Sequence, residues 1–204
     1  MSDFLDPTGE IEKHGSKLPH WQQDGVMQFV TFRLGDSLPA SKLAAWQESR
    51  KIFLEQNPKP WTDETEFEFR RRYTQRIEEW LDEGSGSCIF RDPETRDLME
   101  GILMKFQGEK YIHESWVIMP NHLHLLFKPL VPMEKLIQAW KSTFSHRFGK
   151  GSVWQERYRD TLIRDPKHFA NCVRYIRRTP RHLPQDAFTL WESERAKAVK
   201  SRKE

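Results

Sequence analysis

The sequence predicts an α+β domain: a ferredoxin-like antiparallel sheet with helices packed on it and a helical segment inserted. Three observations carry this. Strand-like and helix-like runs alternate along the chain, in the order strand, helices, two strands, helix, strand, helix, which favours a split βαβ arrangement. Two of the strands are separated by a single Pro-Asn turn, so they are expected to pair antiparallel. The chain has 204 residues, 37% apolar and 31% charged, enough for one full core and small for two.

The elements follow from local chemistry. Val26–Leu34 is rich in β-branched and aromatic residues and reads as a strand. Leu38–Gln56 opens on Pro39, Ala40 and Ser41, continues in helix formers and stops before Asn57-Pro58. Thr62–Glu83 is a second helix, with Thr62 able to cap and Phe69, Tyr73, Ile77, Trp80 and Leu81 at helical spacing. Gly84 to Ser87 breaks it, and Cys88–Phe90 is expected as a short strand. Asp92-Pro93 starts a third helix through about Phe106. Tyr111–Met119 and His122–Phe127 are strands around the Pro120-Asn121 turn. Met133–Phe148 is a helix closed by Gly149. Trp154–Arg164 is expected as a strand, and Asp165-Pro166 opens a last helix ending near Thr179-Pro180. Residues 1–19 are expected as a loose leader, 20–183 as one domain, and 184–204 as a charged, frayed tail.

Charge and composition bound the function. No run of about 18 apolar residues exists, so no membrane span is expected. The first residues lack a basic-then-apolar export pattern, and the two cysteines, Cys88 and Cys172, fit no zinc spacing; a cytoplasmic protein with reduced thiols is expected. The net charge of +3 is unevenly spread. Leu136 to His182 holds 11 Lys and Arg against 3 Asp and Glu, whereas residues 1–135 hold 17 against 23. The basic block suggests a polyanion partner, or else a solvated helix face.

Two stretches carry chemistry. In WVIMPNHLHLLF, His122 and His124 are one residue apart on a strand, so both imidazoles leave the same face while Leu123, Leu125 and Phe127 face a core. Two imidazoles on one face can bind a divalent cation, or serve as a structural pair. A histidine-triad hydrolase would need a third histidine where Leu126 stands, and a zinc deaminase a downstream Cys-x-x-Cys, which is absent. In DPKHFANCVRYIRRTP, Phe169, Cys172, Val173 and Ile176 form the buried stripe of a helix. Tyr175 lies about 110° from its centre, at roughly 100° per residue. It is either a boundary tyrosine packed on the sheet or a phenol facing a groove.

Taken together, WVIMPNHLHLLF, Trp140-Lys141-Ser142, Trp154-Gln155, Tyr158-x-Asp160, Ile163-Arg164-Asp165 and Arg174-Tyr175-Ile176 resemble the REP-associated tyrosine transposases. These are HUH single-strand DNA transposases of the insertion-sequence-200-like type, with one catalytic tyrosine. FVTFRL and LDEGSGSCIFRDP also resemble them, and the likeness covers about residues 20 to 180. The resemblance implies a transposase-like catalytic domain that nicks and rejoins single-stranded DNA near hairpins through a 5′-phosphotyrosine. It implies Tyr175 as nucleophile, His122 and His124 as metal ligands, and Mg²⁺ or Mn²⁺ as cofactor. It places a third ligand one helical turn after the tyrosine, at Thr179, where close relatives carry an asparagine followed by Pro. Glu156 and Asp160 are the carboxylates that could replace it. Single-stranded or hairpin DNA is the expected partner, with no membrane, and the chain is expected as a monomer or homodimer. Lys141, His146, Arg147, Arg157, Arg159, Arg174, Arg177 and Arg178 are the candidate DNA contacts. The alternatives are a domesticated hairpin-binding protein with weak or no cleavage, and a metal phosphodiesterase that uses water and leaves Tyr175 idle.

Overall fold

The computed structural model describes residues 3–14 and 20–201. Two short strands, β1 (Glu12–His14) and β2 (His20–Gln22), pair antiparallel. The central strand β3 (Gln28–Arg33) then alternates buried and half-buried positions. An insertion follows: α1 (Ala40–Gln56), α2 (Asp63–Phe69), a π-helical stretch (Arg70–Gln75) and α3 (Arg76–Asp82). Next come α4 (Pro93–Met104), the hairpin β4 (Tyr111–Ile118) and β5 (His122–Pro129), and α5 (Met133–Phe148). The chain ends with β6 (Arg159–Leu162), α6 (Pro166–Arg178), β7 (Thr189–Glu192) and α7 (Glu194–Lys197).

The main sheet has the order β6-β3-β5-β4-β7, and every pair is antiparallel. Because β3 and β4 both run antiparallel to β5, they are parallel to each other with β5 between them. The same holds for β5 and β6 about β3. Two split βαβ units therefore interleave, the ferredoxin-like arrangement, and β7 is added outside β4.

Period-two alternation gives the sheet two apolar faces. One carries Val30, Phe32, Leu123, Leu125 and Phe127 and is covered by α4 and α5 through Met99, Leu103, Leu136, Ile137, Trp140 and Phe144. The other carries Met27, Val117 and Leu126 and is covered by α6 through Phe169, Cys172, Val173 and Ile176. The caps are those the sequence calls for. Thr62, Asp92 and Asp165 each accept a backbone N–H three residues on, and Gly149 closes α5 in the left-handed region at φ 74°. The inserted helices have a separate aromatic cluster of Phe53, Trp61, Phe69 and Tyr73. Trp140 is buried as its stripe predicts, while Trp80 is only half-buried, with Lys42 and Arg76 over its ring.

Four expectations are corrected. Cys88–Phe90 is no strand: Cys88 is left-handed at φ 47° and Ile89–Arg91 forms a 3₁₀ turn. The strand expected over Trp154–Arg164 shrinks to β6. Trp154 is instead buried between Phe32, Phe90 and Phe144, and Gln155 donates its N–H to the Arg33 carbonyl, so the chain is pinned there before pairing resumes. The expected tail contributes β7 and α7; Ala196 is fully buried, and Arg177 ties the segment down through Glu192 (2.6 Å) and the Ala196 carbonyl (2.7 Å). The described part of the leader is also tied in. The Asp3 carboxylate pairs with Lys128 and Arg195, and the Leu5 N–H bonds the Ile163 carbonyl. Residues 1, 2, 15–19 and 202–204, part of the expected leader and tail, lie outside the described residues.

Candidate active site on one face of the sheet

Cross-strand register builds the site. Directly opposed residues of an antiparallel pair share a face. Thr31 opposes His124 on one side and Arg159 on the other, and Arg33 opposes His122. These residues therefore lie on the α6 face, as the His-x-His spacing predicts. Asp160 opposes Val30 and so belongs to the other face. Glu156 lines a groove with Lys141 and Tyr158, also away from the histidines.

The two imidazoles touch. His122 Nε2 lies 3.2 Å from His124 Nε2, and both residues are only 1% exposed. Removing either ring would therefore leave a void in the interior. Phe29 stacks on His124 at 5.6 Å, Tyr175 meets it edge-on at 5.1 Å, and α3 closes in from the side of His122. Burial holds both histidines neutral: the His122 pKa falls to about 3, and that of His124 falls well below the usual value.

Hydrogen bonds orient both rings. His122 Nδ1 lies 2.8 Å from Asn121 Oδ1, and Asn121 Nδ2 donates to the Ser85 carbonyl at 3.0 Å. An amide oxygen only accepts, so His122 carries its proton on Nδ1 and turns the lone pair of Nε2 inward. His124 Nδ1 lies 2.7 Å from the Thr31 hydroxyl, which can donate or accept. Without a cation, His124 Nε2–H donates to His122 Nε2. To hold one, His124 would carry its proton on Nδ1, donated to the Thr31 hydroxyl, and the two Nε2 atoms would supply the ligand lone pairs. The donor set thus fits a divalent cation, although no group of three or more His, Cys, Asp or Glu is preformed for one among the described residues.

Tyr175 reaches this pair from α6. Its hydroxyl is 3.5 Å from His124 Nε2, and the carboxylate of Glu78 on α3 stands near enough to act on it. Burial, then the charges of Glu78 and Asp82, push the phenol pKa above its ordinary value. Burial raises Glu78 too, against the pull of Arg159, whose guanidinium lies 3.3 Å away. Asp82 Oδ1 stands 3.9 Å from His122 Nε2, and burial and Glu78 lift its pKa to about 6. Thr179 follows Tyr175 by one turn, and its hydroxyl donates to the Tyr175 carbonyl at 2.9 Å.

Sequence reasoning missed Thr31, Asn121, Glu78 and Asp82. Asn121 precedes the pair, and Thr31 is polar in an apolar strand, so both left a signal. Glu78 and Asp82 left none, because charged residues of both signs recur all along this segment and the π-helical stretch Arg70–Gln75 changes which of its faces meets the sheet.

The basic residues do not form one patch. Lys141 and His146 line the groove on the α5 side, where burial lowers the Lys141 pKa to about 8. Arg147 is exposed on the same helix, and Arg157 is exposed in the loop before β6. Arg159 and the exposed Arg178 lie on the side of Tyr175. Arg174 and Arg177 hold the C-terminal segment through the carbonyls of Lys200 and Ala196.

No family model matches the chain. Over 65 residues it is 29% identical to a REP-associated tyrosine transposase of Escherichia coli (strain K12), covering 30% of this chain and 39% of that protein. The matched stretch is thus well under half of the relative's length. The solved structure of a REP-associated tyrosine transposase bound to a REP hairpin aligns over 82% of this chain and 74% of its own, with a TM-score of 0.43 and 15% identity. Among the described residues, no helix is long and apolar enough to cross a membrane.

Proposed function

We propose that this chain nicks and rejoins single-stranded DNA near hairpins, with Tyr175 as nucleophile. The observation that carries the reading is the meeting of Tyr175 from α6, His124 from β5 and Glu78 from α3 at one buried spot. The 65-residue likeness to a REP-associated tyrosine transposase supports the same reading.

The tyrosine oxygen attacks a phosphodiester phosphorus. The new bond is O–P, the broken bond is P–O3′, and the products are a 5′-phosphotyrosine and a free 3′-hydroxyl. A buried phenol with a raised pKa is a poor nucleophile while protonated. Glu78, the carboxylate beside the hydroxyl, takes the proton; water returns one to the departing 3′-oxygen. Arg159 keeps Glu78 ionised and in place. Held by His122 and His124, Mg²⁺ or Mn²⁺ would polarise a non-bridging phosphate oxygen. The phosphotyrosine keeps the bond energy, so a 3′-hydroxyl can reverse the attack and join strands without ATP.

The test is covalent trapping. Wild-type chain incubated with a 3′-labelled, hairpin-bearing single strand and Mn²⁺ gives a labelled band of protein mobility on a denaturing gel. Tyr175→Phe gives none while still binding the hairpin. An adduct that persists in Tyr175→Phe overturns the assignment. Hairpin binding by wild type without any adduct favours the domesticated binding protein.

A further inference from the structure

We propose that Asp82 completes the metal centre: with His122 and His124 it forms a two-imidazole, one-carboxylate site for a divalent cation, and Thr179 stays outside it. This rests on the two histidines being metal ligands and supplies the third ligand from the inserted helices.

Distances come first. Ligands in adjacent positions around an ion at about 2.1 Å are roughly 3 Å apart. The two Nε2 atoms, 3.2 Å apart, already have that spacing. Asp82 Oδ1, 3.9 Å from His122 Nε2, needs to close by less than about 1 Å. Its side chain is 42% exposed and ends a helix, so it has the freedom to do so.

The scaffold points the same way. Three residues after Asp82, the Ser85 carbonyl accepts from Asn121 Nδ2, and Asn121 Oδ1 accepts from His122. The loop is further pinned where the Ser87 N–H donates to Asp36 at 2.7 Å. Gly86, at φ 90°, lies so close to the Asp36 carbonyl that a Cβ there would sit 2.5 Å from its oxygen. One loop thus sets both the orientation of His122 and the position of Asp82.

Charge distinguishes the candidates. Two neutral imidazoles alone hold a hard cation weakly, and a carboxylate adds the charge such ions require. The Thr179 hydroxyl is neutral and already donates to a backbone carbonyl. A centre with two imidazoles and one carboxylate keeps positions open for phosphate oxygens.

The experiment is Mn²⁺ titration by calorimetry on the full chain without DNA, so the readout is binding and not activity. Wild type takes up one ion. Asp82→Asn binds at least about tenfold more weakly, with an unchanged thermal melt because the side chain is half exposed. His122→Gln is weakened as well, and Thr179→Val stays within about twofold of wild type. Asp82→Asn with wild-type affinity beside a weakened His122→Gln overturns Asp82 as a ligand and leaves the histidine pair standing. Loss of affinity in Thr179→Val as large as in Asp82→Asn overturns the exclusion of Thr179. Equal affinity in all four proteins, or no uptake by wild type, overturns the histidine pair and the Asp82 assignment with it.

Discussion

The hydroxyl of Tyr175 lies 3.5 Å from Nε2 of His124, although 51 residues separate them in sequence. The contact exists because α6 packs its stripe of Phe169, Cys172, Val173 and Ile176 on the sheet and leaves Tyr175 at the stripe's edge, over the polar stretch that Thr31, His122 and His124 form on that face. Phe29 fixes the arrangement by stacking on His124 and meeting Tyr175 edge-on at 5.8 Å. Burial and two carboxylates keep a phenol so placed protonated at neutral pH, so under the proposed function its proton acceptor is the next question.

Glu78 is that acceptor under the proposed function, so Glu78→Gln should slow adduct formation by about 10² to 10⁴-fold while hairpin affinity stays near wild type. The base works only when ionised, and burial raises its pKa. The wild-type rate should therefore climb with pH through the Glu78 titration, and that acid limb should vanish in the glutamine variant. Single-turnover rates of nicking across pH check this. An unchanged rate in Glu78→Gln would leave Glu78 as a structural partner of Arg159.

The histidine pair has a structural role beside its proposed chemical one. His124→Ala removes a buried ring that stacks on Phe29 and bonds Thr31, leaving a void and a buried hydroxyl with one partner fewer. We expect a loss of about 2 kcal/mol in urea unfolding. His124→Gln, which keeps most of the volume, should lose less yet remain inactive. Equal stability of His124→Ala and wild type would mean that the site collapses without cost.

Much of this was legible in the sequence. Period-two alternation placed His122 and His124 on one face, and the helical stripe of α6 put Tyr175 on its flank; both depend on local geometry alone. The carboxylates were not legible. Glu156 and Asp160 lie inside the basic block in sequence, but register turns Asp160 to the far face, opposite Val30. Glu78 and Asp82 sit four residues apart on α3 and share a helix side, yet only the tertiary path of the insertion brings that side to the histidines. The tail failed for a related reason. Thr189–Glu192 has too few apolar residues to announce a strand, and it becomes one because β4 offers it an edge and Arg177 reaches Glu192.

DNA affinity should come mainly from phosphate contacts. With about 5 phosphates neutralised on a single strand, the log–log dependence of affinity on salt should have a slope of about −3 to −4. Arg157→Ala and Arg178→Ala, both on exposed guanidiniums, should each flatten it by about 0.7. Arg177→Ala should act differently, because its side chain is bonded to Glu192 and the Ala196 carbonyl. Its main effect should be a lower melting temperature. Fluorescence anisotropy at several salt concentrations measures the slopes. A flat dependence, or equal affinity for blunt duplex, would exclude a phosphate-led single-strand site.

Stability should fall in mild acid, and three buried histidines set the sign. His113 is fully buried; its Nε2 lies 3.0 Å from the Leu103 carbonyl, Nδ1 has no hydrogen-bond partner among the described residues, and burial pulls its pKa to about 3. His122 and His124 shift in the same direction by burial. An unfolded histidine titrates near 6.5. Below that value the unfolded chain takes up protons that the native chain refuses, so each histidine's contribution is complete above about pH 6.5 and is lost as pH falls toward the native value. Between pH 7.5 and 5.5 His113 and His122 should each remove about 1.4 kcal/mol, and His124 acts in the same direction. Asp82, whose raised pKa of about 6 lets the native chain take up a proton in this window, offsets part of the loss. Urea unfolding in the presence of a chelator measures this. His113→Phe keeps a ring against Trp140 and Tyr111 but has nothing to protonate. It should start less stable, having lost the bond to Leu103, yet lose about 1.4 kcal/mol less between the two pH values. The same pH dependence in His113→Phe and wild type would show that His113 accepts its proton without unfolding, through an opening of the α4–β4 region that the native packing does not display.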